Sequence, residues 1–409
     1  MNAPRAPLRP LDDALAELLA QARPLDGAER VRTFDADGRV LAQDLVSQLQ
    51  VPPHDNSSMD GYAVRSSEIA DEGIVLPVSQ RIPAGSAPQP LVPGSAARIF
   101  TGAPVPAGAD AIVMQEETEA AGEHAVRILR APAAGQWIRR SGEDVTRGAI
   151  VLARGQRLDP GALGLAASIG LDHLAVARRP RVALFSTGDE LVMPGEVPPE
   201  RMRPGAIYNS NRFFLQALLR RLGCEVSDFG IVPDQRDATV RALDLASREH
   251  DLILTSGGVS VGEEDHVKPA VQSLGSLDLW QIAIKPGKPF AHGRVDGAHF
   301  MGLPGNPVSS FVTFLLLVRP FLLKLQGATD LVPRSTAVPA DFEWPRADKR
   351  REFLRVRRNA QGALALFTNQ SSGVLTSAVW ADGLVDNPPG RTIARGDAVR
   401  FLSLAELVG

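Results

Sequence analysis

The feature that most limits what this chain can fold into is a regular alternation of apolar runs and helical segments between Val182 and Gly327. The pattern predicts strands at 182–185, 226–232, 252–255, 279–284 and 299–303, and helices at 211–222, 234–249 and 307–327. Strands that alternate with helices of this length form βαβ units, which build a parallel sheet covered by helices on both faces. The alternation therefore predicts an α/β domain, which we place at residues 178–327.

The flanking segments predict further domains, because 409 residues exceed one ordinary core. Helical spacing of leucines opens the chain and stops at Pro24, and a second short helix is predicted to end at Gly170. Short runs between Pro and Gly turns predict a small, mostly β domain at 51–142. Alternating runs without helical periodicity predict a second β domain at 332–409. The predicted fold class is therefore α/β plus β.

Composition and charge narrow the possible functions. A formal net charge of −3 provides no basic field, so we expect no nucleic acid partner. The single cysteine, Cys224, excludes an intrachain disulfide, and the seven histidines lack zinc-ligand spacing, so any metal should have oxygen ligands. The first residues show no signal-peptide pattern, and the most apolar stretch, 311–318, is short of a membrane span. We expect a cytoplasmic protein with no membrane partner.

Five loops rich in glycine, proline and acids follow the predicted strands. Their sequences are S-T-G-D-E-L with Glu190, V-P-D with Asp234, S-G-G-V-S-V-G-E-E-D from Ser256 to Asp265, K-P-G-K-P with Lys285 and Lys288, and P-G-N-P. Ligands bind beyond the carboxyl ends of parallel strands, so these loops should share one site. Backbone N–H groups around Gly257 and Gly258, with the two lysines, predict an oxyanion site. The nearby carboxylate of Asp265 suits a metal-bridged phosphate.

Each of these loops also has a structural interpretation. Asp234 and Asn306 stand where helix N-caps are expected, and the two lysines could belong to a solvated turn. Three polar segments outside the α/β domain are equally ambiguous, because they contain ordinary turn formers. They are P-P-H-D-N-S-S-M-D-G-Y-A-V with Asp60, T-G-A-P-V-P-A-G-A-D with Thr101, and R-R-S-G-E-D with Arg139 and Asp144.

Taken together, the quoted segments resemble the molybdopterin molybdenumtransferases, the molybdenum-insertion family of molybdenum-cofactor biosynthesis that includes the E domain of gephyrin. Seven motifs match in order over nearly the whole chain. The resemblance implies an elongated four-domain subunit working as a homodimer. Its domains would be an N-terminal helical linking domain at 1–50 and 143–177, the small β domain at 51–142, a three-layer α/β molybdopterin-binding domain at 178–327, and a β-barrel-like domain at 332–409.

The resemblance also implies a reaction. Adenylylated molybdopterin and molybdate would be converted, with Mg²⁺, to molybdenum cofactor and AMP. An upstream molybdopterin adenylyltransferase would supply the substrate, and downstream molybdoenzymes would receive the product.

The residue roles that the resemblance implies fall into three groups. Molybdate and substrate would be bound by Gly257, Gly258, Ser260, Lys285, Lys288, Arg139, Asp144, Arg351 and Ser372. Mg²⁺ or the adenylate would be bound by Glu190, Asp234 and Asp265. Catalytic roles would fall to these three acids and to Asp60 and Thr101, which would reach in from the partner subunit. His54 and Ser58 depart from the family pattern and lie beside the acids.

Two other functions remain open from the sequence. The α/β domain also resembles that of molybdopterin adenylyltransferases, so adenylyl transfer or nucleotide pyrophosphate hydrolysis is one alternative. The other is a non-catalytic scaffold like that formed by gephyrin. The motifs between Pro52 and Val64 favour molybdenum insertion, because a lone α/β domain would suffice for adenylylation.

Overall fold

The computed structural model describes residues 8–258 and 266–408. The predicted site residues Ser260 and Asp265 lie outside these ranges, as do residues 1–7 and 409. Several sheets with helices between them make up a multidomain fold, as the sequence predicts.

The central sheet has an apolar surface on each face, because successive strand residues point to opposite sides. Val182 and Leu184 share one apolar cluster with residues of the helices Ser210–Arg221, Pro307–Thr313 and Arg319–Leu325. Ala183 and Phe185 share another with residues of the helices Arg236–Ser247 and Val267–Leu274. Helices therefore cover both faces of this sheet, hereafter the α/β region.

The strands of this sheet follow a mixed order. From edge to edge they are Glu225–Val232, Arg181–Thr187, Leu252–Ser256, Ala298–Leu303, Pro289–Val295 and Gly275–Gln281. The first four are mutually parallel, whereas the last two form an antiparallel extension. The prediction of a wholly parallel sheet is wrong at this edge. Short strands at Leu191–Val192 and Ile207–Tyr208 pair outside the sheet.

The predicted strand at 279–284 is divided between two sheets. Residues up to Gln281 pair within the α/β region, whereas Ile284–Lys285 pairs in parallel with Arg351 and Glu352 of the C-terminal sheet. The strand Pro289–Val295 was not predicted. A proline is accommodated there as the first residue of the strand.

A buried helical segment spans Pro307–Leu325, and Gly327 follows it with φ +77°. Its middle residues, Phe314–Val318, form a π-helical turn. Pro320 lacks an N–H and its ring crowds the carbonyl four residues earlier, which favours such a wider turn. The segment is long and apolar enough to cross a membrane by length and composition alone. However, 83% of its most apolar window is buried inside the protein, as in a core helix.

Two segments far apart in sequence share one small core near the start of the chain. Ala28–Arg32 pairs with His173–Ala177, and Leu45–Val46 pairs with Ile150–Leu152. Helix Pro160–Ser168 packs beside them, and Asp159 caps it by accepting a hydrogen bond from the Ala162 N–H at 2.8 Å. The first helix, Leu11–Gln21, packs elsewhere, because its buried leucines belong to the α/β region.

Residues 51–142, here called the β module, contain a sheet of their own. Its strands, in spatial order, are Ala111–Met114, Gly61–Val64, Ala96–Ile99, Val75–Ile82, Ala125–Ile128 and Thr118–Ala120. Asn56–Ser57 and Ile138–Arg139 form a further pair. Separate apolar clusters lie on the two sides of the sheet, one with Val64 and Ala96 and the other with Ala63 and Ala97.

The first strand of the C-terminal sheet is Ile284–Lys285, which comes from the middle of the chain. Its strands follow in the order Ile284–Lys285, Arg351–Arg358, Gly383–Asn387, Ala398–Ser403 and Ser335–Pro339, with Leu364–Leu366 pairing to Arg351–Arg358. Short helices lie at Thr376–Trp380 and Leu404–Val408. The pairing of Ile284–Lys285 with Arg351–Glu352 joins this sheet to the α/β region through main-chain hydrogen bonds.

The first prediction concerns two buried histidines on adjacent strands, His292 and His299. Burial lowers the pKa of each from 6.5 to about 4. Both nitrogens of His292 and Nδ1 of His299 have no hydrogen-bond partner in the described residues. The folded protein keeps both rings neutral, whereas the unfolded chain takes up protons below pH 6.5. We therefore expect stability to fall from about pH 6.5 towards pH 4, by on the order of 2–3 kcal/mol per histidine.

Denaturant unfolding measured across this pH range tests the prediction. His292→Leu should flatten the acid-side loss while leaving the slope above pH 7 unchanged. Equal pH dependence in the two proteins would contradict it.

Candidate functional site

A cavity of about 560 Å³ lies at the carboxyl ends of the parallel strands. Four strand-end loops line it, and each contributes residues that the sequence singles out. Glu190 follows the strand Arg181–Thr187, Asp234 follows Glu225–Val232, Gly257 and Gly258 follow Leu252–Ser256, and Asn306 follows Ala298–Leu303. The structure thus brings two carboxylates and the glycine loop together at one edge of the sheet.

Asp234 and Asn306 are both better explained by the cavity than by helix capping. The helix after Asp234 starts at Arg236 with Gln235 at its N-cap. Asn306 occupies the N-cap position before Pro307, yet its side chain makes no capping hydrogen bond. The N-cap prediction is therefore correct for the position of Asn306 but not for a side-chain cap, and Gln235 takes the position predicted for Asp234.

Two asparagines of the cavity were not predicted as site residues. Asn211 is buried, and its Nδ2 donates to Ser256 Oγ at 2.8 Å and to the Gly305 carbonyl at 2.7 Å, which ties the start of the helix Ser210–Arg221 to two neighbouring strand ends. Asn209 caps the helix Ser210–Arg221 by accepting from the Arg212 N–H. In the sequence the segment N-S-N, which holds both asparagines, is sufficiently explained as a helix start. Helix capping and ligand binding use the same residue types, so the segment gave no separate sign of a site.

Several polar atoms of the cavity have no hydrogen-bond partner within residues 8–258 and 266–408. Among the described residues these buried atoms are Thr187 Oγ1, Asn209 Nδ2 and Asn211 Oδ1. A buried polar atom without a hydrogen bond costs roughly 1–3 kcal/mol. Three of them facing one cavity indicate a site built for a polar ligand.

The glycine loop is closely packed against the neighbouring strand end. Gly257 has φ +93° and Gly258 φ +66°. A Cβ on Gly258 would lie 2.4 Å from Val267 Cγ2, and one on Gly257 would lie 2.7 Å from the Thr187 carbonyl oxygen. The Gly257 N–H donates to the Leu303 carbonyl at 3.1 Å and so continues the strand ladder. This N–H is therefore already engaged by the protein.

Lys285 lies between the α/β region and the C-terminal sheet. Its Nζ is 3.0 Å from Glu352 Oε1 and 3.4 Å from Asp348 Oδ2, and its side chain remains 42% exposed. Glu352 is buried, and its other oxygen accepts from Trp344 Nε1 at 2.7 Å. Half-buried Lys288 is three residues away in the same turn. The ammonium group of Lys285 is thus held by acids on one side and open on the other.

Arg351 is engaged by carboxylates and does not line the main cavity. Its guanidinium bonds to both oxygens of buried Asp386 at 2.5 and 2.7 Å and to exposed Asp12 at 2.9 Å. These partners raise the pKa of Arg351, with the Asp386 hydrogen bonds as the largest cause. Arg351 instead lines a second cavity of about 470 Å³ with residues of the first helix. The Ser372 carbonyl accepts from the Val308 N–H at 2.9 Å, next to the P-G-N-P loop.

The N-terminal motifs form a separate, exposed group on the β module and directly after it. Asp60 Oδ1 accepts from the Thr101 N–H at 2.8 Å and from its hydroxyl at 2.7 Å. These two bonds, followed by the charge of Arg98, lower the pKa of Asp60. Arg139 lies on the strand next to Asn56, and the Asp144 N–H donates to the Val51 carbonyl. These predicted residues do not line the described cavity of their own chain.

Family descriptions match three consecutive parts of the chain. "MoeA N-terminal region (domain I and II)" matches residues 9–170, "Probable molybdopterin binding domain" matches 183–324, and "MoeA C-terminal region (domain IV)" matches 337–404. The chain is 43% identical over 318 residues to the molybdopterin molybdenumtransferase of Haemophilus influenzae, covering 78% of each protein. It is 39% identical over 388 residues to molybdopterin molybdenumtransferase 2 of Mycobacterium tuberculosis, covering 91% of this chain and 93% of the relative.

The fold is similar to the crystal structure of the molybdopterin biosynthesis moeA protein from Pyrococcus horikoshii. The TM-score is 0.83 at 30% sequence identity, over 97% of this chain and 100% of the other.

The tight packing of the glycine loop leads to a second prediction. Gly258→Ala should lower the free energy of unfolding by about 1–3 kcal/mol, because the new methyl group meets Val267 and the residue must keep a positive φ. Gly164→Ala is the matched control, since its Cβ would meet nothing within 4 Å in the helix Pro160–Ser168. The control should equal or exceed wild-type stability by up to about 1 kcal/mol. Urea unfolding compares them, and equal effects would contradict the prediction.

Proposed function

The chain belongs to the molybdopterin molybdenumtransferase family, and from that premise we propose that its catalytic site joins the α/β cavity of one copy to Asp60 and Thr101 of a second copy. The reaction is insertion of molybdenum into molybdopterin. We propose adenylylated molybdopterin and molybdate as substrates, and molybdenum cofactor and AMP as products. A molybdopterin adenylyltransferase would supply the substrate, and molybdoenzymes would take the product in the cytoplasm.

The proposed subunit is elongated and has four domains: residues 1–50 with 143–177, then 51–142, 178–327 and 332–409. Separate apolar clusters within residues 31–176, 62–138 and 338–401 support three of these units, whereas the first helix and part of the C-terminal segment share the core of the α/β region. The homodimer is supported by the position of Asp60 and Thr101, which are exposed and outside the cavity of their own chain. A second copy would complete the site by presenting its β module to this cavity.

Molybdate is a tetrahedral dianion, and the Lys285 turn offers charge and an open face for it. Glu352 and Asp348 fix the direction of the Lys285 ammonium group, while its exposed side meets the anion. Lys288 adds a second charge in the same turn. Ser260 belongs to the proposed anion site and lies outside the described residues. Arg351 joins this site when the anion replaces the Asp12 carboxylate, which is 82% exposed.

The cavity residues fit a magnesium ion that keeps part of its water shell. Glu190 and Asp234 supply carboxylates, and Thr187 Oγ1 and Asn211 Oδ1, which have no hydrogen-bond partner in the described part of the chain, supply neutral oxygens. Three acidic or histidine ligands do not come together among the described residues, which accords with an ion bound largely through water and substrate phosphate. Asp265 would complete the acid set. When bound, Mg²⁺ would neutralise charge on the pyrophosphate as AMP leaves.

The observation that most supports this function is the meeting of acids, glycine loop and unpartnered polar atoms in one cavity. The deciding experiment incubates the purified protein with adenylylated molybdopterin, molybdate and Mg²⁺. AMP release and reconstitution of a cofactor-free molybdoenzyme should both require molybdate. Molybdate-independent AMP release, or ATP-dependent adenylylation of molybdopterin, would refute the assignment.

The third prediction tests the anion site. Lys285→Met keeps the apolar stem and removes the charge, so the KM for molybdate should rise at least about tenfold, as loss of a charged hydrogen-bond partner implies. Glu352 Oε2 keeps its hydrogen bond from Trp344, whereas Oε1 loses Lys285, so the melting temperature of the variant is measured alongside to separate a folding loss from a binding loss. Arg334→Ala, which removes a cation from an 86% exposed side chain of the C-terminal part, serves as the control and should leave the KM unchanged. An unaltered KM in Lys285→Met would exclude Lys285 from molybdate binding.

The fourth prediction tests the metal site. Asp234→Asn removes a carboxylate from the cavity while keeping its shape, so the Mg²⁺ concentration that gives half-maximal AMP release should rise about tenfold or more. Asp237→Asn, in the first turn of the following helix, is the control and should behave like wild type. Identical Mg²⁺ dependence in Asp234→Asn and wild type would place the metal elsewhere.

A further inference from the structure

A buried arginine of the C-terminal sheet, Arg355, carries a charge that no acid neutralises. The residue is only 1% exposed. Within the described ranges it has no acidic partner, and burial lowers its pKa to about 10, so the guanidinium stays charged at neutral pH. An apolar side chain of similar size in a buried position is often at least as stabilising as a charge. The arginine therefore needs an explanation beyond packing.

The three nitrogens of this guanidinium bind neutral acceptors. Nε donates to Ser377 Oγ at 3.2 Å, Nη1 to the Phe353 carbonyl at 3.0 Å and Nη2 to the Ser371 carbonyl at 3.4 Å. A planar fork with fixed donors can serve all three acceptors at once, whereas a single ammonium group cannot. The guanidinium thus ties the strand Arg351–Arg358 to the segment after Gln370.

The main chain of Arg355 holds the same segment, here called the serine segment (Gln370, Ser371 and Ser372). The Arg355 N–H donates to Gln370 Oε1 at 2.9 Å, and Gln370 Nε2 donates back to the Arg355 carbonyl at 3.0 Å. One residue of the strand therefore anchors two successive residues of the serine segment.

The serine segment also contacts the α/β region, at the helix that follows the P-G-N-P loop. The Ser372 carbonyl accepts from the Val308 N–H at 2.9 Å. The same helix contacts the Lys285 turn, since Thr313 Oγ1 donates to the Gly287 carbonyl at 3.4 Å. This helix therefore brings the serine segment and the Lys285 turn into one neighbourhood.

The Ser372 hydroxyl is available to a ligand. The residue is half-buried, and its hydroxyl makes no hydrogen bond in the described part of the chain. A hydroxyl contributes most to the binding of an anion when its position is fixed beforehand, because it then loses little freedom on binding. Contacts with Arg355 and Val308 on either side fix the backbone that carries it.

We propose that Arg355 is a positioning residue for the anion site: its guanidinium holds the serine segment so that the Ser372 hydroxyl donates to the oxyanion bound by Lys285 and Lys288. Arg355 itself does not touch the anion. The inference rests on the proposed function, in which molybdate binds at the Lys285 turn. It goes further by giving a role to a buried residue behind that site.

Calorimetric titration of the full chain with molybdate tests this role. Arg355→Lys keeps the charge but loses the fork, and Arg355→Met loses both while remaining apolar enough to stay folded. Each should raise the Kd for molybdate by about tenfold, as loss of one well-directed hydrogen bond implies. Arg357→Lys, on the same strand with a 53% exposed side chain, is the matched control and should bind as wild type does.

A double-mutant cycle separates positioning from a general effect on the fold. Ser372→Ala should also weaken molybdate binding, and adding Arg355→Met to it should cost little more, because both changes remove the same contact. The kcat for AMP release at saturating molybdate should stay near the wild-type value. A merely structural role would instead lower kcat and the melting temperature through loss of folded protein, and would leave the Kd unchanged.

Three outcomes would overturn the inference. The first is a wild-type Kd in Arg355→Lys, which would show that the fork is not needed. The second is full additivity of Arg355→Met and Ser372→Ala. The third is molybdate binding that depends on Lys285 but on neither Arg355 nor Ser372, which would leave the proposed function intact. Wild-type protein that binds no molybdate would overturn the proposed anion site itself.

Discussion

The backbone pairing of Ile284–Lys285 with Arg351–Glu352 is the contact on which the arrangement around the site depends. The chain leaves the α/β sheet after Gln281, forms two residues of the C-terminal sheet, and returns at Pro289. Main-chain hydrogen bonds therefore place Glu352 opposite Lys285, where its buried carboxylate holds the ammonium group. Arg351, on the same strand, is anchored by Asp386 and reaches the first helix through Asp12. This two-residue strand thus holds the turn with Lys285 in place between the α/β sheet, the C-terminal sheet and the first helix.

Much of the α/β region follows from sequence patterns, because apolar periodicity fixes strands and helices that are buried on known faces. The helix predicted at 211–222 is observed at Ser210–Arg221, and the strand predicted at 252–255 is observed at Leu252–Ser256. The crossing at 284–285 could not be predicted in this way. Its partners lie 67 positions further along the chain for Lys285 and Glu352, and its lysines and prolines carry no apolar pattern. Long-range pairing of a two-residue strand leaves no local trace.

The candidate site shows the same limit. Acids and glycines at strand ends were accessible to sequence reasoning, because the topology brings such loops to one edge. Asn209 and Asn211 were not, since their position before a helix has a sufficient explanation in capping. Arg351 was assigned near the anion, and only the structure shows that two carboxylates already hold it. The competition between protein partners and ligand for one side chain depends on distances that a sequence does not contain.

The two ends of the β module meet at its base. The Val51 and Val145 backbones hydrogen-bond to each other, so the module is an insertion whose entry and exit points are adjacent. Pairing Leu45–Val46 with Ile150–Leu152 requires the ends of an intervening segment of about 90 residues to come together, which costs conformational entropy when that segment is flexible. Folding of the β module brings these ends together and so removes most of that cost. The small core that contains the pair Leu45–Val46 and Ile150–Leu152 therefore gains stability when the sheet of the β module folds. Its two strands need not contact that sheet for this effect. Folding of this small core is in this way favoured when the segment inserted within it is already folded.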